Sequence, residues 1–158
     1  MKTRIMLLSS LLLVYLLPLA GYAQDKYVPK ANEELYGTWT NEESLGNVYF
    51  PQKVVNFPNK YESYSKMSDA DPVEVSTLGI GSKWTDTEGN IWYKTFGTVT
   101  AGAGEGCHWQ ELDKLSKSGT VWERVYTVIY GVDFDPKYYP TKIDPARQYY
   151  GIFYRVKE

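Results

Sequence analysis

The strongest constraint on the fold is a stretch near the C-terminus in which side-chain type alternates at every position. The mainly aliphatic face of this stretch carries Val121, Glu123, Val125, Thr127 and Ile129, and the mainly aromatic face carries Trp122, Arg124, Tyr126, Val128 and Tyr130. A period of two residues is typical of a β-strand, whose successive side chains point to opposite faces. Residues 107–115 and a Lys117-Ser118-Gly119 turn come before it, so the pattern predicts a β-hairpin.

A second hairpin is predicted earlier in the chain. Its arms are residues 82–85 and 91–96, which are rich in aromatic and β-branched side chains, and a turn containing Gly89-Asn90 joins them. Alternation and composition predict further strands at 35–40, 53–57, 61–66, 73–78 and 149–157. No segment carries apolar residues at helical spacing over three turns, so the chain is predicted to be all-β.

Eight or nine strands in sequential hairpins predict a single antiparallel up-and-down β-barrel of about eight strands. A β-sandwich or an open barrel is the alternative, because both use the same strand and turn signals. The closed barrel is favoured because the chain is aromatic-rich, with 15 Tyr among its 158 residues. Open edges of such a sheet would promote aggregation, and closure removes them.

The N-terminus has the layout of a secretory signal peptide. Lys2 and Arg4 form a positive n-region, residues 5–20 form an apolar core, and Gly21-Tyr22-Ala23 offers small residues before a cleavage site. We therefore predict that residues 1–23 are removed and that the protein is exported, to the periplasm or outside the cell.

After cleavage, the mature chain is predicted to hold a polar lead-in at 24–34 and one barrel domain at 35–158. No transmembrane span is expected in it. The full chain has 17 Lys and Arg against 19 Asp and Glu, a net charge of −2, which argues against a nucleic-acid partner. One Cys and one His cannot build a disulfide framework or a zinc site of several such ligands. We expect no metal and no cofactor.

Two short patterns at the ends of the predicted barrel belong together. Gly37-Thr38-Trp39 lies on the first predicted strand, and Arg155 lies on the last. A first-strand Gly-x-Trp with a basic residue on the last strand resembles the signature of lipocalins and their calycin relatives. The resemblance implies that Arg155 packs across Trp39 and closes one end of the barrel. A guanidinium over an indole contributes about 0.5–2 kcal/mol, depending on its burial.

The resemblance covers only the two ends of the chain. The middle carries no further lipocalin motif, and the animal members' disulfide has no counterpart. Residues 131–148 hold three prolines, so the helix that lipocalins place before their last strand has no counterpart either.

The residues that could carry chemistry do not form a recognisable catalytic set. Cys107 and His108 are adjacent, but neighbours on a strand point to opposite faces, so a nucleophile and its base are not expected here. The glycine-rich stretch 102–106 lacks the parallel strand and helix that a phosphate-binding loop requires. We therefore predict no catalytic residues and no enzymatic activity. A hydrolase without a recognisable motif is the remaining alternative.

The surplus of aromatic side chains is the main functional signal. Three interpretations stay open: a ligand cavity lined by rings, an external aromatic platform, or cross-strand pairs that stabilise the sheet. The candidates for ligand binding are Trp92, Phe96, Trp122, Arg124, Tyr126, Tyr130, Tyr138 and Tyr139. The long segment 131–148 is expected to act as a lid or binding loop, or else to fold passively against the barrel wall.

The aromatic faces of 91–96 and 121–130 are expected to point inward, because burying rings removes the most apolar surface from water. Arg124 would then meet a ligand carboxylate in a forked geometry. The predicted function is non-catalytic binding of a small, largely apolar or aromatic ligand in a barrel cavity. The alternative is an exported β module that binds a glycan or protein partner through exposed aromatic residues.

Overall fold

The computed structural model describes residues 27–30, 32–47, 49–130 and 134–157, so the predicted signal peptide lies outside the described residues. These ranges contain nine β-strands. They are β1 (Gly37–Thr40), β2 (Lys53–Asn56), β3 (Lys60–Tyr64), β4 (Glu74–Thr77), β5 (Gly79–Thr85), β6 (Ile91–Gly102), β7 (His108–Leu115), β8 (Val121–Ile129) and β9 (Tyr150–Arg155). Each of the nine predicted strands overlaps one of them.

The strands form one antiparallel sheet that closes on itself. Eight strands make the ring, in the order β1, β2, β3, β4, β6, β7, β8 and β9, and β9 pairs back to β1. The ring closes where β4 pairs with the C-terminal end of β6, and β5 is an additional strand along the other half of β6. The predicted all-β fold with a closed antiparallel barrel is confirmed, and the open-barrel and sandwich alternatives are wrong.

Turn chemistry explains the β5–β6 hairpin. The Asp86 carboxylate accepts hydrogen bonds from the backbone amides of Glu88 and Asn90, at 3.0 and 2.9 Å. Gly89 adopts a φ of +89°, a conformation that costs glycine little and other residues much more. The local sequence therefore dictates where this hairpin reverses direction.

One end of the barrel is closed by large side chains. Trp39 is fully buried, lies edge-on to Trp122 with ring centroids 5.5 Å apart, and donates its Nε1 hydrogen to the Leu35 carbonyl. Arg155 covers the Trp39 ring, with the guanidinium carbon 4.2 Å from the ring centroid. The contact that the lipocalin resemblance implied is present, and the fold is consistent with a calycin-like barrel.

The described part of the lead-in packs against the same end. The Glu33 side chain is fully buried and pairs with Lys83 of β5 at 2.6 Å. It also accepts hydrogen bonds from the hydroxyls of Tyr27 and Tyr93. These contacts tie the chain before β1 to β5 and β6, beneath the core.

The aromatic faces of the two long hairpins do not point the same way. Trp122 and Arg124 of β8 are buried on the inward face, as predicted. In β6 the inward residues are Tyr93, Thr95, Gly97 and Val99, so the alternate face, with Trp92 and Phe96, lies outside. The expectation of inward-pointing rings is therefore wrong for β6.

The physical reason is space inside the barrel. A Cβ atom at Gly97 would lie 2.5 Å from the ring of Trp109, so that ring already fills the room beside β6. An outward-facing residue of the barrel can also be buried. Val125 faces out yet is fully buried, and Leu112 beside it on β7 is nearly so.

The described part of the long segment before β9 runs across this outer wall. Phe134 packs on Phe96 with centroids 4.6 Å apart, and Tyr139 lies beneath Lys94. The amide of Asp135 donates to the side chain of Gln110, an outward residue of β7. Residues 134–139 therefore fold against the outer wall, as the passive interpretation of this segment expected, and not over the barrel end.

Candidate functional site

A cavity lies at the end of the barrel away from Trp39. Its volume is about 40 Å³, above the roughly 10–15 Å³ that one water molecule needs. Five aromatic side chains line it: Tyr49, Tyr61, Trp109, Tyr126 and Tyr130. The polar lining includes Glu74, Glu111 and Arg124. This combination of rings with a few charged groups is typical of a ligand pocket.

A second and larger chamber adjoins the first. Its volume is about 220 Å³, and it lies between the β1–β2 connection and β9, with Ser44 and Gly151 on its two sides. The two chambers share Tyr49, Arg124 and Tyr126 as lining residues. The Arg124 side chain therefore borders both of them.

Arg124 is a buried cation with few hydrogen bonds. It is 3% exposed, and its Nη1 donates to the Tyr61 hydroxyl at 2.7 Å. The Glu111 carboxyl is 3.6 Å from Nη1, beyond hydrogen-bonding distance, and the Nε of Arg124 has no partner. Four rings surround the guanidinium carbon at 4.9–5.5 Å from their centroids, and they belong to Tyr61, Trp122, Tyr126 and Phe153.

Two carboxyl groups are buried together beneath Arg124. Glu111 and Asp113 alternate on the inward face of β7. Burial raises the pKa of both, and the hydrogen bond between them raises the pKa of Glu111 and lowers that of Asp113. Asp113 also accepts hydrogen bonds from Thr95 Oγ1 and Trp122 Nε1, each at 2.7 Å. The hydrogen bond between them therefore favours the protonated form at Glu111 rather than at Asp113.

Glu74 faces the first cavity from β4. Burial raises the pKa of Glu74 to about 7, and the positive charge of Arg124 opposes that rise. Among the described residues its side chain makes no hydrogen bond and no ion pair. Alternation along β4 places Glu74 on the same face of the strand as the buried Ser76, which points into the barrel.

The structure brings only some of the predicted site residues together. Arg124, Tyr126 and Tyr130 line the first cavity, and Tyr130 stands at its mouth, 67% exposed. Trp122 points inward but lies in the core, against Trp39 and Phe153, and lines neither chamber.

The other four predicted ligand-binding residues lie outside the barrel. Trp92 and Phe96 are on the outward face of β6. Tyr138 and Tyr139 belong to the segment that packs on the outer wall, where the Tyr139 hydroxyl lies close to Gly81 of β5. For Trp92 and Phe96, the distance from the cavity follows from the inward placement of the opposite face of β6.

Several cavity residues were missed from the sequence. Tyr61, Glu74, Trp109 and Glu111 all line the first cavity. Alternation could have placed Trp109 and Glu111 on one face of the predicted strand 107–115. It could not have shown that β3 and β4 bring Tyr61 and Glu74 to the same place, because that depends on closure of the ring.

Cys107 and His108 both line the first cavity, so strand alternation does not separate them. The reason is that β7 begins at His108, and Cys107 belongs to the preceding turn, where its amide donates to the Gly104 carbonyl. The Nδ1 atom of His108 is hydrogen-bonded to the Thr98 hydroxyl at 2.9 Å.

Comparison of the chain with protein families, with curated proteins and with solved structures finds no match. Within the ranges that the structure describes, no helix is long and apolar enough to cross a membrane. In those same ranges, no three His, Cys, Asp or Glu side chains come together as metal ligands would.

Proposed function

We propose that this protein is an exported, lipocalin-like binding protein that holds a small, largely apolar or aromatic ligand in its barrel cavity. The observation that carries the proposal is the buried Arg124 guanidinium in an aromatic-lined cavity. Among the described residues its one hydrogen bond goes to the Tyr61 hydroxyl, and the Glu111 carboxyl lies 3.6 Å away. Burying a charge costs free energy, and an additional acceptor on a ligand would offset part of that cost. Rings lining both chambers supply apolar contact for a ligand body. The ligand's polar end is proposed to be an acceptor for Arg124, such as a carboxylate.

Two further observations support the lipocalin-like part of the proposal. The ring has eight antiparallel strands, and the first-strand Trp39 is covered by the last-strand Arg155. Export is supported by the signal-peptide layout of residues 1–23.

The experiment is a fluorescence titration with two probes that share an apolar aromatic body. 8-Anilinonaphthalene-1-sulfonate carries an anion, and N-phenyl-1-naphthylamine is neutral. We expect both to bind the wild-type protein and Val128→Trp to abolish binding, because Val128 lines the cavity and the indole would fill it. Near-UV circular dichroism checks that the variant keeps its packing. If neither probe binds the folded wild-type protein, the proposal is wrong.

The external alternative rests on one surface feature. Trp84 is 40% exposed and stacks on Trp92 across the β5–β6 hairpin, with centroids 5.9 Å apart and planes 10° from parallel. Exposed rings of this kind suit stacking on a glycan. Trp84→Ala separates the two functions: it should leave probe binding unchanged, and it should abolish any retention of the protein on immobilised glycans.

A further inference from the structure

The charge balance around the first cavity carries an inference that rests on the proposed binding function. We propose that Glu74 is the residue that selects the charge of the ligand: an anionic group binds at Arg124 together with one proton, which passes from solvent to the Glu74 carboxylate. The site would then accept a small aromatic acid more readily at low pH than at high pH.

Arg124 has few hydrogen-bond partners among the described residues. Its only hydrogen bond among the described residues goes to Tyr61, whose hydroxyl is neutral because burial raises its pKa to about 12. The Glu111 carboxyl, whose pKa is raised by burial, lies 3.6 Å from Nη1, beyond hydrogen-bonding distance. A buried guanidinium has five N–H donors, so an anionic oxygen in either chamber would complete its hydrogen bonds.

Glu74 lines the same cavity as Arg124. A Cβ atom added at Gly104 would lie 3.3 Å from Oε2 of Glu74, so the carboxyl reaches the cavity side of the turn between β6 and β7. The side chain has no hydrogen bond or ion pair among the described residues, and Arg124 is the positive charge that acts on it. An anion held by Arg124 would share this confined space with the Glu74 carboxyl.

Electrostatic linkage couples proton binding at Glu74 to anion binding at Arg124. Arg124 lowers the pKa of Glu74 against the effect of burial, which leaves it at about 7. A bound anion would cancel the charge of Arg124 and add a negative charge nearby, so the pKa of Glu74 would rise. Binding then takes up a proton, and the affinity falls as pH rises through 7.

Other charged and titratable groups face Arg124 and Glu74 from the neighbouring elements. Burial raises the pKa of Tyr126 well above its usual value, and Tyr61 behaves likewise, so both stay neutral. Burial raises the pKa of Glu111 as well, which favours its neutral form. His108 lines the same cavity, so the test includes a variant at this position. Glu43, Tyr49, Cys107, Tyr130 and Tyr150 line the outer parts of the two chambers.

The test measures the affinity for the two probes at pH 6 and pH 8. For the anionic probe we expect the wild-type affinity to be up to about tenfold weaker at pH 8, the limit set by one proton with a group near pH 7. The neutral probe should show no such change. Glu74→Gln should bind the anionic probe equally at both pH values, and His108→Gln, the matched control, should keep the wild-type pH dependence.

Calorimetry of the wild-type protein keeps the test independent of any variant. Titration of the anionic probe at pH 7 in two buffers with different ionisation enthalpies should show net uptake of a fraction of a proton. The inference is overturned if no proton is taken up, if Glu74→Gln keeps the pH dependence, or if His108→Gln loses it. In those cases binding of the probes still stands, whereas failure of both probes to bind would overturn the proposed function itself.

Discussion

Arg155 lies over Trp39 and at the same time joins three segments of chain at the closed end of the barrel. Its Nε donates to the carbonyl of Gly119 in the β7–β8 turn at 2.7 Å, and its Nη1 donates to the carbonyl of Tyr36 at 2.9 Å. The guanidinium therefore links the first strand, the last strand and a hairpin turn. Its contact with the Trp39 ring covers that buried side chain at the closed end of the barrel.

We expect Trp39→Ala to lower the free energy of unfolding by about 3–5 kcal/mol, as removal of a large core aromatic side chain usually does. Trp39 is fully buried and contacts the core ring of Trp122. Urea unfolding followed by circular dichroism measures the loss. The partly exposed Trp84→Ala is the control and should cost much less, so equal losses in the two variants would contradict the prediction.

A narrower substitution tests the buried carboxyl pair. Trp122→Phe keeps an aromatic ring but removes the donor to Asp113, and we expect a loss of about 1–3 kcal/mol because a buried acceptor loses a partner. Trp92→Phe is the matched control, since the Nε1 of Trp92 donates at 2.8 Å to Asp86 in the exposed turn. The control should cost less in urea unfolding. The same cost for both substitutions would show that Asp113 does not depend on this hydrogen bond.

Acid should weaken the closed end through Glu33. Burial alone would raise the pKa of Glu33, but hydrogen bonds from Lys83, Tyr27 and the Lys30 amide lower it from 4.5 to about 2. A lowered pKa means that the stabilisation is complete above about pH 4.5 and is lost as pH falls towards 2.

The measurement is the urea midpoint between pH 7 and pH 3. Glu33→Gln should be less stable than wild type at pH 7. The difference should shrink at pH 3, because Glu33 is then protonated in the unfolded chain while the folded protein still holds it ionised. Glu105→Gln, at an exposed position, serves as the control. A difference between Glu33→Gln and wild type that is constant over this range would argue against an ionised Glu33 in the folded state.

Export predicts a defined N-terminus. We expect protein recovered from an exporting cell to begin at or near Gln24, because residues 1–23 carry a charged, an apolar and a small-residue region in that order. Intact-mass spectrometry of the secreted or periplasmic product measures this. Retention of Met1 to Ala23 would indicate an uncleaved anchor.

Much of the fold could be predicted because its signals are local. Strict alternation in β8 and the Asp86–Asn90 turn each depend on residues close together in the chain. The lipocalin resemblance of Gly37-Thr38-Trp39 and Arg155 also implied a contact across the whole domain, and that contact is present. The strand and turn predictions hold because alternation and turn chemistry are properties of the local backbone.

The candidate site was predicted only in part. Arg124, Tyr126 and Tyr130 follow from alternation in β8, and all three line the cavity. Tyr61 and Glu74 reach it because closure between β4 and β6 brings distant strands to the same end of the barrel. Local pattern carries no signal for such a meeting, since it depends on which strands become neighbours.

By itself, the sequence determined the strands, their turns and the sets of residues that share a face. Only the tertiary structure decided which face of each strand points inward. In β6 the face that carries Gly97 is inside, because the ring of Trp109 occupies the space over Gly97. In β8 the mainly aliphatic face lies outside, and Val125 on that face is nevertheless fully buried. Period-two alternation is the same for either choice, so the volume inside the closed ring and the cover outside it settled the matter.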